Sequence, residues 1–292
     1  VLCGPARAAG SREAQGAALP ATLEPALAYT LVDPAGRRHY LVGTIHARPA
    51  EETELPAFVS RLLEGTEAVL LEIDLEAAPR AEVFRLLTKY AFKAEGQSLK
   101  ELLGDEAFGS LRRLVEGTGV SLAYLEGFQP WFVEMILTGL IVQKIGFTTQ
   151  SGVDSVLATE ARRRQIPVIG IESLEDQFAS VAKLSIETQV RSLRQTLSDW
   201  SAGGREVRQL YESYRANDAA GILGLFQDLP VQEAEFYEKV ILERNRRMAQ
   251  EIVRLSADGK SYLVAVGAGH VLGAGSVAAL LRERGWTVTP TR

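Results

Sequence analysis

The chain of 292 residues has a single cysteine, Cys3. That excludes an intrachain disulfide and any metal site built from several thiolates. It also lacks a long hydrophobic run. The most apolar stretch, Trp131 to Phe147, is interrupted by Glu134, Gln143 and Lys144. It falls short of the roughly 20 residues a membrane-spanning helix needs and reads as a buried helix. There is no excess of positive charge: the net charge is −5, and the basic residues are dispersed. The run Arg162-Arg163-Arg164 falls on one helix and reads as a solvated face. Nucleic-acid binding is therefore disfavoured. No Gly-x-Ser-x-Gly elbow, phosphate-binding loop, dinucleotide fingerprint or His-Glu-x-x-His helix occurs, which removes the common serine hydrolases, nucleotide-binding enzymes and zinc peptidases of that signature. Gly267-Ala268-Gly269 resembles only the beginning of a dinucleotide loop, with His270 inside the turn. Histidine is scarce too, at three residues, so any imidazole chemistry has few sources.

Two of those three histidines share a setting. Tyr40-Leu41-Val42-Gly43-Thr44-Ile45-His46 and Tyr262-Leu263-Val264-Ala265-Val266-Gly267-Ala268-Gly269-His270 are apolar, strand-like runs closed by Gly-x-x-His. A strand ending in a glycine turn presents an imidazole at the rim of a sheet, where open α/β folds place their chemistry. Glycine three positions back removes side-chain bulk and lets backbone approach a ligand or metal. One site assembled from both ends of the chain is the expectation, against the plainer reading of two structural histidines. His39, beside two arginines next to a turn, is expected to be exposed and inert.

The pattern reads as an α/β fold: a mixed central sheet built from both ends of the chain, with large helical insertions. Residues 27–32 and 38–45 form a hairpin around Asp33-Pro34-Ala35-Gly36, followed by a helix over 54–64 and a strand over 68–74. Further strands are expected at 167–171, 262–266 and 286–290, with a helix over 275–284. Residues 80–164 and 174–255 read as helical insertions, the second broken at Gly203-Gly204 and near Pro230. Residues 21–292 are expected to form one domain, with core strands near 27–74, 167–171 and 262–290. Residues 1–20 read as an Ala/Gly-rich leader in which Ala6-Arg7-Ala8 matches a small-x-small cleavage pattern. That points to an extracytoplasmic location, periplasmic or secreted. A strand at the sheet edge also leaves room for pairing across a homodimer.

Glu72 is the third candidate. Alternation in Ala68–Asp74 puts Leu70, Glu72 and Asp74 on one face and Val69, Leu71 and Ile73 on the other. A carboxylate in so apolar a strand is costly unless it is solvated, paired with an arginine, or bound to a cation. His46, His270 and Glu72 together match the three-ligand set of an open catalytic metal site. A second tier contains Asp154, Glu172, Gln177, Arg244 and Asn245. Asp154 precedes a helix and reads most simply as its N-cap. Glu172 ends a strand and is either a cap neighbour or a site carboxylate. Arg244 and Asn245 lie in a charged helix whose plainer reading is a solvated face.

The chain resembles the TraB/GumN family, which includes bacterial proteins and the extracellular Tiki proteases. Six blocks carry the likeness: Val42-Gly43-Thr44-Ile45-His46; Leu71-Glu72-Ile73-Asp74; Gly152-Val153-Asp154; Gly170-Ile171-Glu172-Ser173-Leu174-Glu175-Asp176-Gln177; Arg244-Asn245-Arg246-Arg247-Met248-Ala249; and Val266-Gly267-Ala268-Gly269-His270-Val271-Leu272-Gly273. One departure, Gly269-His270-Val271 in the last block, leaves the imidazole in place. The resemblance implies a shared α/β core and a divalent-cation-dependent metalloprotease acting on peptide or protein. His46, Glu72 and His270 then become metal ligands for Mn, Co or Zn, with Arg244 and Asn245 as site neighbours. In that mechanism Glu172 or Asp154 accepts the water proton, and Arg244 or Asn245 steadies the oxyanion. Two rivals stay open. One is a metal-free hydrolase using a histidine general base, as in the distantly similar erythromycin esterase group. The other is a non-enzymatic protein that binds a metal, haem or a partner.

Overall fold

The computed structural model describes residues 23–93 and 98–291. The leader expected over residues 1–20, with Cys3, lies outside the described residues. Eight strands are present among them: β1 (Ala28–Val32), β2 (Arg38–Thr44), β3 (Arg48–Pro49), β4 (Ala68–Leu71), β5 (Phe147–Thr148), β6 (Val168–Gly170), β7 (Tyr262–Gly267) and β8 (Thr287–Pro290). Six form one mixed sheet in the order β6-β4-β7-β2-β1-β8, while β3 and β5 pair separately. β7, from the end of the chain, inserts between β2 and β4 and runs parallel to both. β4 also pairs in parallel with β6, and β1 runs antiparallel to β2 and β8. The expected α/β sheet drawn from both ends is therefore observed.

β4 and β7 are apolar and buried along their whole length, as parallel strands covered on both faces must be. Val69, Leu71, Leu263 and Ala265 face one core with Val42, Leu157 and Tyr214. Leu70, Val264 and Val266 face the other, against Met248, Ile252 and Leu281. The helical insertions close a third core of their own around Phe108, Phe132, Leu137 and Leu193.

Four expectations need correction. β4 stops at Leu71, so Glu72 lies just past the strand rather than within it. Gly203-Gly204 does not break its helix, which runs from Trp200 to Arg215. A Cβ at Gly203 would lie 2.9 Å from Ile141 and one at Gly204 2.9 Å from Ile145; these glycines let helix Pro130–Lys144 approach. His39 is buried rather than exposed. Its ring stacks between Tyr262 and Trp286, its Nδ1 accepts the Tyr262 N–H at 3.3 Å, and Asp33 lies 3.5 Å away. The arginine run is ion-paired rather than merely solvated: Arg162 binds Asp74 and Glu76, while Arg163 and Arg164 bind Glu160.

Candidate active site

The parallel strands β2, β4, β6 and β7 all end at the same edge of the sheet. His46 follows β2 by two residues, Glu72 follows β4 by one, Glu172 follows β6 by two, and His270 follows β7 by three. Parallel register turns four distant segments into neighbours at the carboxyl edge, the usual position of α/β sites. Helix Glu243–Ser256 brings Arg244 and Asn245 to the same place, both buried. Helix Leu174–Ala182 supplies Gln177, and helix Val153–Arg163 supplies Asp154. All eight residues singled out in the sequence thus gather at one edge.

Gly267 is the pivot. Its N–H donates to Glu72 Oε1 at 2.5 Å. A Cβ built there would meet Glu72 Oε1 at 3.2 Å, His46 Nε2 at 3.3 Å and His270 Cδ2 at 3.7 Å. The absent side chain is the space into which both imidazoles and the carboxylate turn. The matching glycine of the first motif serves a different purpose. A Cβ at Gly43 would lie 3.1 Å from the Ala268 backbone, so Gly43 lets the two motifs pack side by side. Gly152 is tighter still, with a Cβ only 2.5 Å from the His46 carbonyl. The backbone of the third block is thereby pressed against the first, and Val153 N–H bonds the Ile45 carbonyl at 2.9 Å.

His270 is held in one tautomer. Asn245 Nδ2 donates to the Gly275 carbonyl at 2.8 Å, which turns Asn245 Oδ1 toward the ring; Oδ1 lies 2.6 Å from His270 Nδ1. Nδ1 therefore carries the proton and Nε2 keeps its lone pair, 4.0 Å from Glu72 Oε1. Burial, then the Arg244 charge, pushes the His270 imidazole down to about 3, so it is neutral at physiological pH. Its full enclosure lies behind that shift.

Arg244 spans two carboxylates. Its Nη2 lies 2.8 Å from Glu72 Oε2 and 2.5 Å from Glu172 Oε2, and its Nε bonds both Glu172 oxygens at 3.0 and 3.1 Å. Gln177 Nε2 donates to the same two carboxylates at 3.3 and 3.4 Å. Burial alone would raise the Glu72 carboxyl, but the facing guanidinium overrides it and holds Glu72 well below the usual carboxylate range. Asp154 is not the N-cap of its helix. Gly152 holds that position, and Asp154 Oδ2 instead stands 3.3 Å from His46 Nδ1. Neither His46 Nδ1 nor Asp154 Oδ1 has a hydrogen-bond partner. Burial raises the Asp154 carboxyl and nearby His46 lowers it, with a net shift downward.

Two buried carboxylates, Glu72 and Glu172, thus share one guanidinium, and a third, Asp154, stands against His46, so carboxylates outnumber the buried arginine here. Enclosed charge of one sign is costly without a counter-charge. The donors at hand are two imidazoles and a Glu72 oxygen that retains a lone pair. This donor chemistry fits a divalent cation. Among the described residues, no three His, Cys, Asp or Glu side chains are already drawn together closely enough to hold one.

Two contributors were not read from the sequence. Tyr214 Oη donates to the Gly43 carbonyl at 2.9 Å, and burial raises its phenol. The buried Thr44 hydroxyl, next to the first histidine motif, has no partner. Tyr214 sits in a polar helical stretch with no local signal. Thr44 lies inside the first Gly-x-x-His motif, where the histidine carries the evident chemistry.

From Ala28 to Pro290 the chain matches the TraB/PrgY/gumN family. It belongs to that family. It is similar to the YbaP protein of Escherichia coli strain K12, with 25% identity over 88% of this chain and 92% of that protein. It is also similar to the metalloprotease TIKI2 of Xenopus tropicalis, at 24% identity over 87% of this chain, and to human metalloprotease TIKI1, at 23% over 85%. It spans 58% and 59% of those two proteins. No solved structure gives a significant match. Among the described residues no helix is long and apolar enough to cross a membrane.

Proposed function

We propose that the chain is a metal-dependent hydrolase that cleaves peptide bonds, with His46, His270 and Glu72 as ligands of a divalent cation. The observation that carries this reading is the locked His270 tautomer. A neutral imidazole with a fixed N–H partner and a free Nε2 is the form in which histidine binds metals. The excess negative charge and the relatives named as metalloproteases support it further. His46, whose side chain is 19% exposed and whose Nδ1 lacks a hydrogen bond, is the ligand free to turn and complete the set.

The cation's contribution would be to lower the pKa of a bound water toward about 7. The protein's own groups do the rest. Both Glu172 oxygens are committed to Arg244, so Asp154, with its unpartnered Oδ1, is the better proton acceptor of the two considered. Asn245 spends its oxygen on His270 and its nitrogen on Gly275. It positions the imidazole rather than contacting an oxyanion. Arg244 likewise fixes Glu72 and Glu172 in place. An extracytoplasmic setting and a protein substrate belong to the same reading.

A metal-free mechanism with His270 as general base is weaker on this geometry. An imidazole pushed down to about 3 is a poor proton acceptor at neutral pH. Elemental mass spectrometry and peptide-library hydrolysis on wild type, His46→Ala and His270→Ala test the proposal. Near-stoichiometric metal and cleavage in wild type, both lost in each variant, are expected. Cleavage that survives either substitution, or that persists in chelator, refutes it.

A further inference from the structure

A cavity of about 670 Å³ lies behind the loop that carries His270. Leu223, Phe226, Leu229, Phe236, Ile241 and Val271 form much of its wall. Its volume falls in the range of sites that enclose small molecules. The tyrosine and serine hydroxyls along this wall are already engaged, and Gln227 is exposed to solvent. Tyr29 Oη donates to the Glu24 carbonyl at 2.8 Å, and Tyr237 Oη to the Ala274 carbonyl at 3.1 Å. Ser276 Oγ accepts the Ala279 N–H. The charged lining residues Arg282 and Glu283 are exposed to solvent. Among the described residues, none of the buried polar side-chain atoms without a partner belongs to a lining residue. A polar ligand would find no unpartnered buried side chain here to replace its lost water. The wall therefore selects an apolar occupant.

The same wall touches the candidate site from behind. Gly269 and Val271 line the cavity on either side of His270. Gly275 also lines it, at φ +68°, and its carbonyl is the acceptor that orients Asn245. Ile241 lies four residues before Asn245, where the π-helical turn Tyr237–Leu242 runs into helix Glu243–Ser256, and both side chains are buried. A molecule pressed against Ile241 and Gly275 therefore acts on both supports of the Asn245–His270 contact.

We propose that this cavity binds an uncharged apolar small molecule and that His270 senses its occupancy through Gly275 and Asn245. The inference does not depend on which reaction His270 serves. Gly224 supplies the test, because it lines the cavity and a Cβ there meets nothing within 4 Å. Titration with the uncharged fluorophore N-phenyl-1-naphthylamine should give saturable binding of one probe per chain. Gly224→Phe should weaken it by roughly tenfold or more at unchanged melting temperature, and Gly65→Phe, at a glycine that does not line the cavity, should leave it intact. Ala220→Trp, on the same helix, repeats the test should the first variant fold poorly. In ¹⁵N-histidine spectra, saturating probe should move the His270 ring signals and leave those of His39 in place. Absent binding, or binding as tight as wild type in both cavity variants, overturns the site. Binding that leaves His270 unmoved overturns the coupling. Binding confined to a chain beginning at Leu23 would assign the cavity to the protein's own leading residues and overturn the proposal.

Discussion

Gly43 and Gly267 occupy corresponding places near their two histidines, yet alanine at each should have opposite effects. At Gly267 the backbone sits at φ −52°, ψ 142°, a conformation alanine adopts without strain. Reduced freedom of the unfolded chain then favours the variant by about 0.4–1 kcal/mol. The added methyl lies 3.2 Å from Glu72 Oε1 and 3.3 Å from His46 Nε2, so the side chains must yield by a few tenths of an ångström. These opposing effects keep the stability change within about 1 kcal/mol, whereas displacing the proposed ligands should lower the proposed activity roughly 10- to 100-fold. At Gly43 the methyl meets the Ala268 Cα at 3.1 Å. Backbone cannot move aside as a side chain can, and overpacking of this kind costs about 1–3 kcal/mol. Urea unfolding, with calorimetric titration of Mn²⁺, Co²⁺ and Zn²⁺, separates the two. Gly43→Ala should lose stability, and Gly267→Ala should lose metal affinity at near-normal stability. Equal destabilisation with metal affinity retained in Gly267→Ala would refute the role given to that glycine.

Other substitutions probe the supports. Asn245→Leu frees the His270 ring to adopt either tautomer, and metal affinity should fall about 10- to 100-fold; unchanged affinity by titration would remove Asn245 as the positioning residue. Arg244→Met leaves Glu72 and Glu172 buried without their counter-charge. It should destabilise the fold by about 3–5 kcal/mol in urea, and a loss below about 1 kcal/mol would mean the cluster is solvated. Remote from the site, Glu235 has its carboxyl lowered to about 2; burial opposes the shift, and Lys239, Ser185 and Thr188 override it. A carboxyl depressed in the folded state stabilises above its ordinary value of 4.5 and loses that stabilisation as pH falls toward about 2. With partial exposure discounted, the effect is roughly 1–2 kcal/mol. Glu235→Gln should therefore flatten the acid limb of a stability–pH curve between these values, and an identical limb in both proteins would contradict the assignment.

The parts of this protein legible in sequence are those fixed by local chemistry. Apolar runs around residues 28–44, 68–71 and 262–267 read as strands, and the glycines of the two Gly-x-x-His motifs marked where chemistry gathers. The Gly-x-x-His echo picked out His46 and His270, and a carboxylate inside an apolar run picked out Glu72. The misreadings share one cause. Gly203-Gly204 looked like a break because a glycine that ends a helix and one that admits a neighbouring helix are identical in one dimension. His39 looked exposed because its arginine neighbours said nothing of Tyr262 and Trp286, more than 220 residues away.

Sequence alone thus determined the α/β class, the pairing of the two ends, and the residues that gather at the sheet edge. Tertiary structure decided their states. Arg244 and Asn245 stood in a helix of solvated charges until packing buried both. Only then did Arg244 become the bridge between two carboxylates, and Asn245 the group that fixes the His270 proton. A side chain's type is written in the chain, but its charge, tautomer and free lone pair depend on what surrounds it. Those surroundings exist only once β7 has inserted between β2 and β4.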